Sequence, residues 1–244
     1  MCGVFAQTGL DFRGLSDTIR HAKKALRDKK IVEGQTFIPN FNIWTGMNAL
    51  VITSQSPDYL QYMQFGYSPI WAKKQMYLFN ARSEGDENKS NEVDFQGDMG
   101  IFEKPAFKDA IIHNRCIVPM DYFVEGPENI GLKKPFLFKR IDNEPFVVAG
   151  IWSSVQINSI TLLSFAILTT AASKIVQQIG HHRSPLVLKN DSIDEWLDQK
   201  TQKSTLQKLM QPFDSESFEY YPISDGISKK INSKDVMTPI LTLF

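Results

Sequence analysis

The feature that most restricts the fold is a series of apolar, β-branched and aromatic runs from residue 115 onward: RCIVPMDYFVE, KPFLFKR, PFVVAGIWSSV and TLLSFAILTT. Runs of this kind read as strands. They are mostly not interleaved with helices of crossover length, which a parallel sheet would require, so antiparallel pairing is expected. NALVITSQ, QYMQFGYSPIW and QMYLFNAR, between residues 36 and 82, carry the same signature. Helical spacing is confined to three places. Residues 16–30 set Ile19, Ala22 and Leu26 behind a Ser16 or Asp17 cap, and SKIVQQIG and residues 192–210 read as two further helices. Residues 83–100 are polar and contain glycine, which predicts a mobile loop or insertion. The expected fold class is α+β, a curved, barrel-like, mainly antiparallel β-sheet with peripheral helices.

With 42% hydrophobic and 22% charged residues, the 244-residue chain has a globular profile. No Pro/Gly/Ser-rich linker or internal repeat divides it, so one domain over 1–244 is expected. The N-terminal residues lack the pattern of a secretory signal and no later apolar run approaches a membrane span, which predicts a cytoplasmic protein without a membrane partner. Cys2 and Cys116 are the two cysteines, with no CxxC or Cys/His cluster. That excludes a disulfide framework and makes a metal site a poor expectation. Cys116, beside Ile117 and Val118, is expected in the core. Lys plus Arg equal Asp plus Glu at 27 each, so composition alone does not point to a nucleic acid. A local set of cations would still suffice to hold a few phosphates.

Cys2 carries the most distinctive chemistry. Initiator methionine is generally removed before a small second residue, which leaves an α-amine and a thiol on one residue. Their reference pKa values, near ~8 and ~8.5, make both partly nucleophilic around neutral pH. Nitrogen, Cα, Cβ and sulfur with one aldehyde carbon close a five-membered thiazolidine ring, so an N-terminal cysteine is a bidentate aldehyde trap. Position alone favours a frayed terminus. MCGVF is also similar to the start of N-terminal-nucleophile glutamine amidotransferases, in which the thiol attacks an amide.

The rest of the chain separates these readings. FGYSPIWAKK (65–74), FNARSE (79–84), RCIVPMDYFVEG (115–126) with AGIWSS (149–154), and ILTTAASKIVQQIGHHRSPLVL (167–188) follow MCG in order. Together they resemble the SOS-response-associated peptidase (SRAP) family of abasic-site processing proteins, and YYPISDGISKK resembles that family's final strand. The Arg-Gly-Pro and Asn-Gly-Glu signatures of the amidotransferases are missing. The resemblance implies a barrel-like fold and autocatalytic removal of Met1. It further implies a thiazolidine crosslink between Cys2 and an abasic site in single-stranded DNA, with abasic-site lyase chemistry, in the DNA damage response. No cofactor or metal is implied, and a monomer is expected. An amidohydrolase using the same thiol and a non-catalytic single-strand binder remain the alternatives.

By the same resemblance, Glu125 is an active-site carboxylate that moves the proton of the α-ammonium, and His181 protonates the sugar oxygen, with the adjacent His182 competing for that assignment. Asn80 and Arg82 would contact sugar and phosphate, and Arg183 would be a second phosphate clamp. Trp71 and Pro69 would form a wedge stacking beside the missing base. The chain departs from the family pattern in three places. Glu125 is followed by Gly126 in place of tryptophan, Ser184 stands where methionine is usual, and the loop after Glu84 is longer.

Overall fold

The structure, a computed structural model, describes residues 3–12 and 22–240. Its twelve strands are β1 (Val4–Gln7), β2 (Asn40–Trp44), β3 (Asn48–Thr53), β4 (Ser56–Phe65), β5 (Asn80–Arg82), β6 (Arg115–Met120), β7 (Tyr122–Glu125), β8 (Phe136–Arg140), β9 (Phe146–Ile157), β10 (Ile160–Ala171), β11 (Arg183–Pro185) and β12 (Phe218–Pro222). Short helices α1 (Lys23–Arg27), α2 (Lys108–His113), α3 (Lys174–Gln177), α4 (Ile193–Leu197) and α5 (Lys203–Leu209) lie between them. This is the expected α+β class.

The strands form two sheets. One runs β12-β8-β7-β1-β2 with every pair antiparallel. The other runs β11-β10-β4-β3-β6-β9, and because β9 also pairs with β10, five of its strands close into a ring. Closure removes two of the exposed edges that an open sheet would leave. The twelve-residue β10 makes it possible by serving β9, β4, β5 and β11 along its length, with β4 and β5 parallel to it.

Side chains alternate between two apolar layers. Ala49 and Val51 of β3, Cys116 and Val118 of β6, and Phe165 and Ile167 of β10 meet Phe5, Phe123 and Phe138 of the other sheet. Leu50, Ile52, Ile117, Ala166 and Leu168 face the opposite way, toward Leu26, Ile111, Trp196 and Leu206 on the helices. Burial on both faces explains why these strands read as continuous apolar runs. Gly150 sits where β9 presses on its neighbours; a Cβ there would lie 2.8 Å from Cys116 Sγ and 2.9 Å from the Ala166 carbonyl oxygen.

The run RCIVPMDYFVE divides between the sheets. β6 belongs to the ring and β7 to the other sheet, and Asp121 stands at the division. Its carboxylate accepts from the backbone N–H groups of Thr8, Gly9 and Leu10, which holds the chain leaving β1. Gln7, buried at the end of β1, donates to the carbonyls of Leu50 and Pro119 and accepts from the Leu50 N–H, joining the two sheets.

Residues 192–210 form α4 and α5 with a break between, not one helix. Asp198 is extended, with φ −67° and ψ 117°, and Arg115 draws the Trp196 and Asp198 carbonyls away from helical pairing. The helix expected over 16–30 lies partly outside the described residues, and its described portion is α1. The 83–100 segment is anchored at both ends: Glu84, Asn88 and Ile101 are buried, and the Ile101 N–H donates to the Ser83 carbonyl. No helix among the described residues is long and apolar enough to cross a membrane.

Candidate active site

Glu125 ends β7 and is 3% exposed; His181, just before β11, is 5% exposed. Their facing atoms, Oε2 and Nε2, are 3.4 Å apart. Burial raises the Glu125 carboxyl from its ordinary range to about 7 and lowers the His181 imidazole to about 4. Near neutral pH the histidine is therefore uncharged and the glutamate is close to half-protonated. The other imidazole nitrogen meets both backbone groups of Arg183: Nδ1 lies 2.9 Å from the carbonyl oxygen and 3.1 Å from the N–H nitrogen. Each tautomer thus has a partner. When Glu125 is ionised, Nε2–H faces it and Nδ1 accepts from Arg183; when Glu125 is protonated, Nε2 can accept and Nδ1–H donate. A proton can pass along this pair with Nδ1 meeting one backbone group of Arg183 in either tautomer.

His182 pairs on the surface with Glu128 at 3.1 Å and, like His181, lines the adjoining cleft. His181 opens onto a cleft of about 380 Å³ lined also by Asn91, Glu92, Ala172 and Gly180.

Asn80 and Arg82 project from one face of β5, as residues two apart in a strand must. Both amide atoms of Asn80 and the Nε of Arg82 are buried with no hydrogen-bond partner among the described residues. Orphaned buried polar atoms are costly unless a ligand satisfies them. Arg82 Nη2 donates to the Asn88 carbonyl and, at 3.1 Å, to Asn91 Oδ1.

Arg183 is engaged within the protein. Its guanidinium meets Glu84 through Nη1–Oε1 at 3.2 Å and Nη2–Oε2 at 2.7 Å, and Nη2 also donates to the Thr169 carbonyl at 2.7 Å. Glu84 in turn accepts from the Ala171 N–H at 2.7 Å. The pair spans 99 positions of sequence. No local spacing in the sequence reports that Glu84 and Arg183 are partners.

Trp71 is 56% exposed on the segment after β4, with Nε1 3.4 Å from the Pro105 carbonyl oxygen. Pro69 beside it is buried. No described contact joins either residue to Glu125, His181 or Asn80. Cys116 is fully buried, as expected of a core thiol, and burial pushes its ionisation well up. Cys2 lies outside the described residues.

The buried carboxylate and histidine come from two of the ordered motifs, and a model of the SOS response associated peptidase (SRAP) family matches residues 1–230. The chain belongs to the SRAP family. Among its relatives, the Bacillus subtilis abasic site processing protein YoqW is 30% identical, covering 86% of this chain and 90% of that one. YoaM of the same organism is 31% identical over 82% of this chain and 84% of its own. Escherichia coli YedK, also named an abasic site processing protein, is 26% identical over 98% and 100%. A crystal structure of a Bacteroides thetaiotaomicron protein shares the fold, with a TM-score of 0.75 at 24% identity over 93% of this chain and 98% of that one.

Two departures from the SRAP pattern have local explanations. Ser184 is buried with its hydroxyl between the Ala171 carbonyl and the Ser173 N–H, at 3.3 and 3.2 Å, where it ties β11 to the end of β10. Gly126 has no room for a side chain, because a Cβ would fall 2.0 Å from the Gly131 carbonyl oxygen. The turn that crowds it closes through Gly131 N–H to the Pro127 carbonyl at 2.6 Å and is tied to Gly180 by the Glu128 N–H. Gly126→Ala should therefore lower stability by roughly 1–3 kcal/mol, since backbone must move, and should also displace the adjoining Glu125. Thermal unfolding checks this; an unchanged melting temperature would show that the turn yields freely.

Proposed function

We propose that this chain processes abasic sites in single-stranded DNA by attaching Cys2 covalently to the lesion. The observation that carries the reading is the direction of β1 toward the buried Glu125–His181 pair. Val4 pairs with Val124, Phe5 with Phe123 and Ala6 with Tyr122, so the register sets the position before Val4 against Glu125. Cys2 is bonded to that position, and successive Cα atoms are ~3.8 Å apart. In this reading its amine and thiol work beside a carboxylate poised near neutral pH. The names of the relatives, all abasic site processing proteins, support the substrate.

The chemistry balances without oxidant or cofactor. Removal of Met1, by the protein itself in this reading, frees the α-amine, and Glu125 takes a proton from its ammonium form. The amine adds to the C1′ aldehyde of the ring-opened deoxyribose, and water leaves to give a Schiff base. Sγ then adds to the imine carbon while the thiol proton passes to nitrogen, closing the thiazolidine. His181, uncharged near neutral pH, relays a proton between Glu125 and the sugar oxygen as the ring opens. The orphaned amide of Asn80 and the unpartnered Nε of Arg82 suit the sugar and its phosphate, with Arg183 behind them, and exposed Trp71, backed by buried Pro69, offers a stacking surface. An imine left untrapped permits β-elimination, so strand scission is the expected side reaction.

Protein lacking Met1, mixed with an abasic single-stranded oligonucleotide, should give an adduct that survives denaturation. Cys2→Ala or an uncleaved N-terminal extension should abolish it. Absence of any adduct would overturn the reading; ammonia release from glutamine would point to an amidohydrolase, and salt-sensitive binding without an adduct to a simple single-strand binder.

A further inference from the structure

Resting on the phosphate role of Arg82 in that reading, we propose that Asn91, supported by Asn88, occupies the place of a DNA phosphate oxygen and competes with the strand for its site. The loop after β5 would then set the affinity of this protein for DNA.

The placement of a single oxygen carries the argument. Asn91 Oδ1 lies 3.1 Å from Arg82 Nη2 and 3.4 Å from Arg183 Nη1, so one acceptor bridges two guanidinium groups. The Asn88 carbonyl takes the same Arg82 nitrogen. An arginine receives a phosphate best through two parallel N–H donors on one edge. On Arg82, Nη2 of such an edge is held by the loop, while Nε is buried and donates to nothing among the described residues. The loop satisfies half of the fork and leaves the other half for a ligand.

Charge explains why this arrangement can yield. Glu84 neutralises Arg183, but the acceptors on Arg82 are a carbonyl and an amide, both neutral. A phosphate brings a full negative charge to the same place, and hydrogen bonds between ionised partners are about twice as strong as neutral ones. The loop oxygen is therefore a weak competitor that the strand can displace. Its geometry is built: the Asn88 side chain bonds to both backbone groups of Glu92 at 2.8 Å, the Asn91 N–H donates to the Asn88 carbonyl at 3.2 Å, and Asn91 adopts φ +59°. Asn91 also lines the cleft onto which His181 opens, so displacement of its side chain would occur beside the reacting groups.

Two variants test the proposal in opposite directions. Asn91→Gly keeps the left-handed backbone without strain and removes the oxygen; Asn91→Asp keeps the shape and adds a charge that arginine holds firmly. The probe is a single-stranded oligonucleotide carrying a tetrahydrofuran abasic analogue, which has no aldehyde and reports noncovalent binding alone. N91G should bind about three- to tenfold more tightly, as expected for one hydrogen-bonded competitor removed, and N91D about tenfold or more weakly. N91G should also show a steeper salt dependence, by about one phosphate contact. Weaker binding by N91G, no change, or shifts of both variants in one direction would overturn the competitor role, as would an Arg82→Ala variant with unchanged affinity. These outcomes are separable from failure of the crosslinking reading, because the analogue assay does not depend on adduct formation.

Discussion

Glu125→Gln is expected to slow adduct formation by about 10²- to 10⁴-fold, the range for losing a positioned general base, while making the protein more stable above pH 7. The two effects have one origin. Burial holds the Glu125 carboxyl at about 7 against an ordinary value of 4.5, so the folded protein retains a proton that the unfolded chain releases. The stability linked to that proton is complete below about pH 4.5 and is lost as pH rises through 7, by on the order of 3 kcal/mol at 1.36 kcal/mol per unit. Glutamine fills the same space without ionising. The stability gap between variant and parent should therefore open between pH 4.5 and 7 and stay level above. The parent's rate of adduct formation should rise with pH through an inflection near 7 that the variant lacks. His181 behaves oppositely: its folded value near 4 lies below the ordinary 6.5, so its contribution is present above 6.5 and is lost as pH falls toward 4. Denaturant melts at pH 5 and pH 8, paired with single-turnover adduct assays, check both halves. A variant that reacts at the parental rate would remove Glu125 from the chemistry.

The strands were legible because their two-sided burial leaves a compositional trace: FVVAGI in β9 and FAILTT in β10 are apolar on both faces because one layer packs on helices and the other on the second sheet. The closure of the ring had no such trace, since it depends on β10 changing partners along its length. Of the site residues, Glu125, His181, Asn80 and Arg82 stood in motifs, and the structure joins Glu125 to His181 and sets Asn80 beside Arg82. Glu84 and Asn91 were not visible as site residues. Glu84 acts through Arg183 and Asn91 through Arg82 and Arg183 together, and neither position has a local pattern that differs from an ordinary polar loop. The break in the 192–210 helix was hidden for the same reason. Its cause is a side chain some 80 positions away.

That side chain is the subject of the second prediction. Arg115 is fully buried at the start of β6, where the C-terminal ends of α2 and α4 converge. Nε donates to the Trp196 carbonyl at 2.6 Å, Nη1 to those of Ile111 and Ile112 at 2.9 and 2.6 Å, and Nη2 to that of Asp198 at 2.6 Å. The last carbonyls of a helix have no partner within it, and here one guanidinium serves both helix ends. Burial lowers its ionisation to about 10, which still leaves it charged at physiological pH. Arg115→Met preserves most of the volume, strands the carbonyl oxygens of Trp196, Ile111 and Ile112, and leaves that of Asp198 with the Thr201 N–H alone, so the loss should be about 3–5 kcal/mol, the range for removing one partner of a buried charged interaction. For a chain of this size that corresponds to a melting-temperature drop of roughly 6–20 °C. Arg115→Lys should recover little, because a single ammonium cannot reach acceptors spread across a planar fork. No described contact ties Arg115 to Glu125, His181 or Asn80, so adduct formation by Arg115→Met well below its melting temperature should match the parent. A loss under 1 kcal/mol would show that water reaches these helix ends, and that the break between α4 and α5 has a cause other than this arginine.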